Sequence, residues 1–368
     1  MMNEFFFSAP GRIEIGGNHT DHQRGRVLAA AINREIRCKA EKDGTDIVSV
    51  NSDGFGEIVV DLSDLQPRDI EKGTASSLIR GIAAWLKTNG FHFGGFSGNI
   101  WSDIPSGIGL SSSAAFEVLI CRVFNGLFNN NMTPLEVALA SRYAENTYFG
   151  KPSGLMDQAA SSYGSINVFD FENEEKPAVS SIVMPKDLEN FAKCVVSTGE
   201  SHESLTPEYA AITNEMKLIA RYFGKEFLRE VSSDMFYSSI RDLRQFGDRA
   251  VIRALHFFEE NDRVAHMAAA LDSEKVSEFM SLVKQSGLSS LAYLQNIYSV
   301  SAFERQGLSL ALALCEKALG DYGAFRVHGG GFAGSILAFV PRELTSRFER
   351  IMTNVFGDSC CHFLEIQS

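Results

Sequence analysis

The sequence predicts an α+β protein in two parts, a mixed strand-and-helix first half followed by a helix-rich second half. Three observations carry this. Short β-favouring runs broken by Asp-Gly turns fill residues 27–62. Residues 207–320 keep a helical apolar period almost throughout. A late glycine run at 329–334 leads into an apolar strand that ends near 340. The 368 residues are enough for two hydrophobic cores. The change of character near 180–195 divides the chain into residues 1–190 and 191–368.

The elements follow in order. Residues 27–38 and 47–62 read as strands, with turns at Asp43-Gly44 and Asp53-Gly54. Residues 76–88 read as a helix, and 98–102 as a short strand that feeds a Gly/Ser-rich turn at 105–113. A helical pattern follows over 114–128. Thr133-Pro134, a capping residue and a first-turn proline, opens a helix predicted over 132–149. Strands are expected at 165–171 and 194–197, on either side of a Pro- and charge-rich connection at 172–190. Glycines near 247, 287 and 307 are expected to break the long helical region.

Composition narrows the function. A 45% apolar and 22% charged chain is an ordinary globular composition. A formal charge of −12 argues against nucleic-acid partners, which need a basic face. No run of 18 or more apolar residues occurs and no basic, apolar leader opens the chain, so a cytoplasmic protein without membrane partners is expected. The six cysteines are scattered and form no CxxC or Cys/His spacing, which points to reduced thiols and not to zinc.

The chemistry concentrates in three segments. In Pro105-Ser-Gly-Ile-Gly-Leu-Ser-Ser-Ser-Ala-Ala115, two glycines allow close backbone approach and the chain then enters a helix N-terminus. Unpaired N–H groups and a positive dipole end at such a turn suit phosphate. The lysine of a Walker A loop is missing. Taken alone, a loop that merely caps a helix is the simpler reading. The segment from Ala9 to Gln23 packs Arg12, Asn18, His19, Asp21, His22 and Gln23 among three glycines, a density of planar donors and acceptors that fits a polyol. His328-Gly-Gly-Gly-Phe-Ala-Gly334 satisfies GxGxxG, but 34 residues are too few to complete a dinucleotide-binding fold. A glycine-rich hairpin beside the phosphate turn is the better reading.

In this order and spacing the three segments resemble the GHMP family of small-molecule kinases. The first resembles that family's galactokinase branch, whose usual form is P-G-R-x-N-x-I-G-E-H-T-D-Y. Further segments agree. Ala144-Glu145-Asn146 followed by Gly150-Lys151-Pro152-Ser153-Gly154-Leu155-Met156-Asp157-Gln158 is similar to A-E-N…G-x-x-x-G-x-M-D-Q. Ser201-His202 with Glu208-Tyr209, and Arg253 to Val264, also match. The resemblance spans about residues 8–340.

That resemblance implies a two-part fold. The N-terminal half would be like ribosomal protein S5 domain 2, and the helix-rich C-terminal half would carry a ferredoxin-like sheet. It implies a kinase that moves the terminal phosphoryl group of ATP, with Mg²⁺, onto the anomeric hydroxyl of a small-molecule sugar of the galactose type. By the same resemblance Asp157 is the base and Arg12 its cationic neighbour. The nucleotide phosphates lie across Gly107, Gly109, Leu110, Ser111, Ser112 and Ser113. Ser113 and Glu145 hold the metal, although Ser111 and Ser112 compete for that assignment. His19, Asp21, Gly154 and Tyr209 surround the sugar, with Asn18 and Arg24 beside it. A monomer is usual on this branch. Glu14, Glu117 and His256 read as structural.

Some positions depart from the branch. Asn18 stands where glutamate is usual, His22-Gln23 replace Tyr-Asn, and Arg24 replaces a small or acidic residue. Galactose is the expected acceptor. Galacturonate is the alternative, because a C6 carboxylate tolerates Asn18 and could pair with Arg24. Another galactose derivative such as N-acetylgalactosamine, or a non-catalytic sugar sensor, stands further back, since the phosphate turn and both charged residues are intact.

Overall fold

The computed structural model describes residues 4–54, 56–105, 107–200 and 205–367. Ser201-His202, part of one matched segment, lies outside the described residues. Among the described residues the strands form two sheets. The larger contains β1 (Phe5–Gly16), β2 (Arg26–Lys42), β3 (Ile47–Ser52), β4 (Gly56–Asp61), β5 (Phe96–Ser102), β6 (Ile166–Asp170) and β7 (Ala178–Ile182). Its order is β4-β3-β5-β2-β6-β7, with β1 paired to β2.

β2 is the spine of this sheet. Its first residues pair with β6, its last with β5, and β1 runs antiparallel along most of its length. The β1–β2 register shifts between Pro10 and Arg12 and between Glu14 and Gly16. Such bulges re-aim side chains, and both fall in the segment that carries Arg12. Helices α1 (Ala75–Thr88), α2 (Ser112–Phe128) and α4 (Met156–Tyr163) pack on the sheet, and α3 (Pro134–Tyr143) packs against all three. α3 opens with a complete capping box: the Thr133 hydroxyl accepts the Glu136 N–H, and the Glu136 carboxylate accepts the Thr133 N–H. Residues 144–149 continue it as a wider π-type turn that carries Glu145.

The connection at 172–190 differs from expectation, because it contains β7. This strand is a half-exposed edge whose Ser180 and Ser181 leave little apolar alternation to read.

The second sheet contains β8 (Phe191–Ser197), β9 (Ala324–His328), β10 (Ser335–Pro341) and β11 (Cys361–Leu364). Its antiparallel order β11-β8-β10-β9 is the ferredoxin-like arrangement. Between β8 and β9 run α5 (Thr206–Tyr222), α6 (Ser233–Leu243), α7 (Asp248–Asp272), α8 (Val276–Ser289) and α9 (Gly307–Leu319); α10 (Thr345–Phe356) precedes β11. Gly247 and Gly307 stand at helix starts, as glycine breaks should. Gly287 instead lies inside α8. A Cβ there would sit 2.9 Å from the Phe325 carbonyl oxygen, so glycine lets the helix press onto β9.

β10 is buried along its whole length and divides its side chains by the two-residue period. Ile336, Ala338 and Val340 face α9 and α10. Leu337 and Phe339 enter a core shared with α7, α8 and the inner residues of β1 and β2. No described helix is long and apolar enough to cross a membrane.

Phe339 meets Phe279 edge-to-face, with ring centroids 5.6 Å apart, inside that shared core. Phe339→Ala is expected to lower stability by about 3–5 kcal/mol. Urea unfolding followed by circular dichroism measures the loss.

Candidate active site

Three stretches of chain converge at the phosphate turn. Gly107 and Gly109 take positive φ values of 77° and 79°, and Ser111 takes 57° immediately before α2. A non-glycine residue in that region is strained by about 1–2 kcal/mol, so neighbours must hold it. The Arg12 guanidinium donates to the Gly109 carbonyl (2.5 Å) and its backbone N–H to the Leu110 carbonyl (3.2 Å). From the glycine-rich hairpin, the Ser335 hydroxyl donates to the Ile108 carbonyl (2.8 Å). A Cβ on Gly109 would lie 3.1 Å from that hydroxyl and 3.4 Å from His328 Nδ1. Leu110 is a core anchor, and Ser113 is exposed in the first turn of α2.

Arg12 and Asp157 form the charged centre. Nε and Nη2 of Arg12 both lie 2.7 Å from Asp157 Oδ1, and the Ser111 hydroxyl donates to Oδ2 at 2.6 Å. Burial opposes the Asp157 charge, but the Arg12 guanidinium, with help from Ser111 and Lys151, outweighs it. The carboxyl is therefore held below its usual range and is ionised. Its place in the first turn of α4 also suits a negative charge.

The sugar motif forms a tight turn against the hairpin. His19 and Arg24 take positive φ values of 58° and 61°. His19 Nε2 donates to the Gly330 carbonyl (2.9 Å), which leaves Nδ1 to accept from His22 Nε2 at 3.1 Å. Both rings are neutral: burial lowers His19 to about 4 and His22 well below its ordinary value. The Tyr209 hydroxyl donates to the Gly331 carbonyl (3.0 Å), and its ring lies near-parallel to His19. Gly329, Gly330 and Gly331 thus offer successive carbonyls to the sugar motif and its neighbours. A side chain on Gly330 would strike the Tyr209 ring, with Cβ 2.5 Å from Cε1.

Asp21 and Gly154 form one wall. A Cβ on Gly154 would overlap the Asp21 carboxylate, so only glycine allows this approach. Burial pushes the Asp21 carboxyl up to about 7, opposed by the His22 N–H that it accepts at 2.8 Å.

Two expected sugar contacts are placed elsewhere. Asn18 is 1% exposed and all its side-chain capacity is engaged inside the protein. Its amide nitrogen donates to Glu14 Oε1 (2.9 Å) and the Gly329 carbonyl (2.7 Å). Its amide oxygen accepts from Asn296 (2.8 Å) and Ser290 (3.4 Å). The cause is Glu14, four residues earlier, which is itself buried and pairs with Arg326 at 2.8 Å. The Arg24 guanidinium lies over the Phe227 ring, 3.9 Å from its centroid, and 3.8 Å from Glu174, and its buried Nε has no hydrogen-bond partner.

Glu145 closes the site. Its Oε1 pairs with Lys151 at 3.0 Å, while Oε2 accepts from Ser153 (2.5 Å) and Gln158 (2.8 Å). Gln158 also donates to buried Glu117 at 3.0 Å. Burial, then the nearby Glu145 charge, pushes the Glu117 carboxyl well above its usual range. Glu117 Oε1 and Gln158 Oε1 are buried acceptors with no hydrogen-bond partner. This surplus of hard oxygen acceptors fits a hard cation such as Mg²⁺. No group of three His, Cys, Asp or Glu among the described residues could hold a metal by itself. Such an ion would therefore draw further ligands from nucleotide oxygens.

Residues 77–165 match the GHMP kinases N-terminal domain, and residues 2–42 match the galactokinase galactose-binding signature. A galactokinase of Glaesserella parasuis serovar 5 (strain SH0165) is 28% identical over 351 residues, covering 94% of this chain and 87% of that protein. The crystal structure of Lactococcus lactis galactokinase complexed with galactose is similar with a TM-score of 0.86 at 25% identity, over 100% of this chain and 94% of that one. These matches make the chain similar to the GHMP kinases and, within them, to galactokinases. The crystal structure of Methanococcus jannaschii mevalonate kinase shares the fold, with a TM-score of 0.69 at 15% identity over 100% and 99% of the two chains.

Several residues of this site make contacts that the sequence did not predict. Ser111 stands at the N-cap of α2, yet its hydroxyl reaches Asp157 and leaves the helix uncapped. Gln158 joins Glu117 to Glu145, and Ser335 fastens the phosphate turn. One signal was available for Glu14: the branch places Asn and Glu four residues apart where this chain has Glu14 and Asn18, the same pair in reverse order.

The raised Asp21 carboxyl makes a stability prediction. Stabilisation from its proton is fully present below the ordinary carboxylate value and is lost as pH rises through about 7. Asp21→Asn is therefore expected to raise the melting temperature at about pH 8 and to change it little near pH 4. Equal effects at both pH values would contradict the burial of an ionisable group there.

Proposed function

We propose that this kinase transfers the terminal phosphoryl group of ATP to the anomeric hydroxyl of galactose, working in the cytoplasm as a monomer. In this reading residues 1–190 supply the phosphate turn and the base, and residues 191–368 supply the hairpin that braces both. The observation that carries it is Arg12, bonded at once to the Asp157 carboxylate and to the carbonyl of Gly109. One guanidinium links the proton acceptor to the turn that would cradle the phosphates.

Roles follow from the chemistry. N–H groups of the turn and the start of α2 bind phosphate oxygens, with the helix dipole adding to them. Asp21, with Gly154 beside it, accepts hydrogen bonds from ring hydroxyls, and His19 and Tyr209 complete that wall. Asp157, held below the usual carboxylate range, is a weak base for an alcohol. It receives the hydroxyl proton as the new O–P bond forms and does not create an alkoxide beforehand. Arg12 keeps Asp157 ionised and offsets charge on the transferring group. Glu145 and Ser113 would hold Mg²⁺, which when bound neutralises phosphate charge and orients the phosphates.

Galactose is favoured over galacturonate by the match of residues 2–42 to the galactokinase galactose-binding signature.

Asp157→Asn is expected to lower turnover by about 10²–10⁴-fold while nucleotide affinity stays close to wild type. ADP release with galactose, paired with calorimetric ATP titration, reads both, and near-normal turnover removes Asp157 from its role. Initial rates on galactose are expected to exceed those on galacturonate. Equal or faster galacturonate turnover reverses the substrate assignment.

A further inference from the structure

Lys151 is a charged group in this site that the phosphoryl-transfer roles leave unused. It lies on the Gly150–Gly154 linker, between the π-type turn that carries Glu145 and the helix that carries Asp157. Its side chain is 58% exposed, whereas its partner Glu145 is 4% exposed. The two ends of this pair therefore differ. Glu145 is clamped by Ser153 and Gln158 on Oε2, and Lys151 alone meets Oε1 among the described residues. The ammonium also feels Asp157 and Glu117 at longer range.

Glu145 Oε1 is also an oxygen that a divalent ion at this site would use. Two cations do not share one carboxylate oxygen at bonding distance without strong repulsion. A divalent ion there would weaken the lysine's hold on that oxygen and favour its release. Glu117 is a poor alternative partner, because burial favours its neutral form. Asp157 already accepts from Arg12 and Ser111. A nucleotide phosphate over residues 107–113 would offer another anion, since the Ser111 hydroxyl of that turn bonds Asp157, a carboxylate that Lys151 also feels. A lysine suits this exchange, since its charge sits on a flexible four-carbon stem that can reach either partner.

We propose that Lys151 is an exchangeable cation, paired with Glu145 before the nucleotide enters and with a phosphate oxygen once Glu145 holds the divalent metal. The inference rests on reading residues 107–113 as the phosphate turn. It divides the work of neutralising the triphosphate between Arg12 on one side and Lys151 on the other. It also means that the metal competes with a resident side chain for its ligand.

Calorimetric titration of ATP, with EDTA and at stepped Mg²⁺ concentrations, separates the possibilities. Lys151→Met is expected to weaken ATP binding about tenfold or more at saturating Mg²⁺, as loss of a charge-assisted contact should, and to change it little in EDTA, where the lysine stays on Glu145. The Mg²⁺ concentration needed for half-maximal tightening should fall, because Glu145 Oε1 is freed. Lys151→Arg, which retains the charge, should recover most of the ATP affinity. A lowered Mg²⁺ requirement with unchanged ATP affinity would make Lys151 a shield for Glu145 only and overturn the proposal. No change in either quantity would overturn it as well. Failure of the wild-type protein to bind ATP would instead sink the kinase reading, a result distinct from both.

Discussion

The Arg12 guanidinium is the interaction on which the rest of the site depends. Two of its nitrogens converge on one oxygen of Asp157, and a third reaches the carbonyl of Gly109. A buried guanidinium is tolerable only when a carboxylate and further acceptors surround it, and each of those acceptors belongs to a different segment. Satisfying one buried charge therefore brings together β1, the phosphate turn and the first turn of α4. Ser111 adds a second tie between the last two. The strained backbone at Ser111 is held because its side chain has this fixed partner.

The glycine-rich hairpin between β9 and β10 performs the same service for the sugar motif. Its carbonyls at 329, 330 and 331 are exposed to neighbours because glycines carry nothing that would screen them. Asn18, His19, Asn296 and Tyr209 all bond to them. Buried charge extends this bracing deeper into the protein. Glu14 pairs with Arg326, Glu260 pairs with Arg263, and the Gly17 N–H donates to Glu260. These pairs hold the turn of the sugar motif against the second half of the chain. Removing one member would leave its partner charged and buried, which is far more costly than losing a surface pair.

Much of the fold could be read from local pattern. The β-runs and Asp-Gly turns of the first half, the Thr133-Pro134 helix start and the hairpin before β10 each follow from short-range chemistry. β7 could not be read in this way, because a half-exposed edge strand carries a polar pattern. Gly287 misled for a related reason: a glycine inside a helix is a break in isolation and a packing contact only when a neighbouring strand is present. At the site, Asp157, Arg12, Asp21 and Gly154 were legible through their motifs. The inward turn of Asn18 was not, since it depends on Glu14, Asn296 and Gly329, residues up to 311 positions away.

By itself the sequence determined which groups are available: a glycine turn that can admit phosphate, carboxylates, an arginine and a polyol-binding set of planar side chains. Those are properties of residue type and short spacing. Only the tertiary structure decided which of these groups meet at the phosphate turn and in what charge state. Burial raises the Asp21 carboxyl to about 7, while Arg12 keeps Asp157 low although it too is crowded by protein. Both are aspartates with the same intrinsic chemistry. Their difference comes from distance to a counter-charge and from exclusion of water, quantities that exist only after the chain has folded.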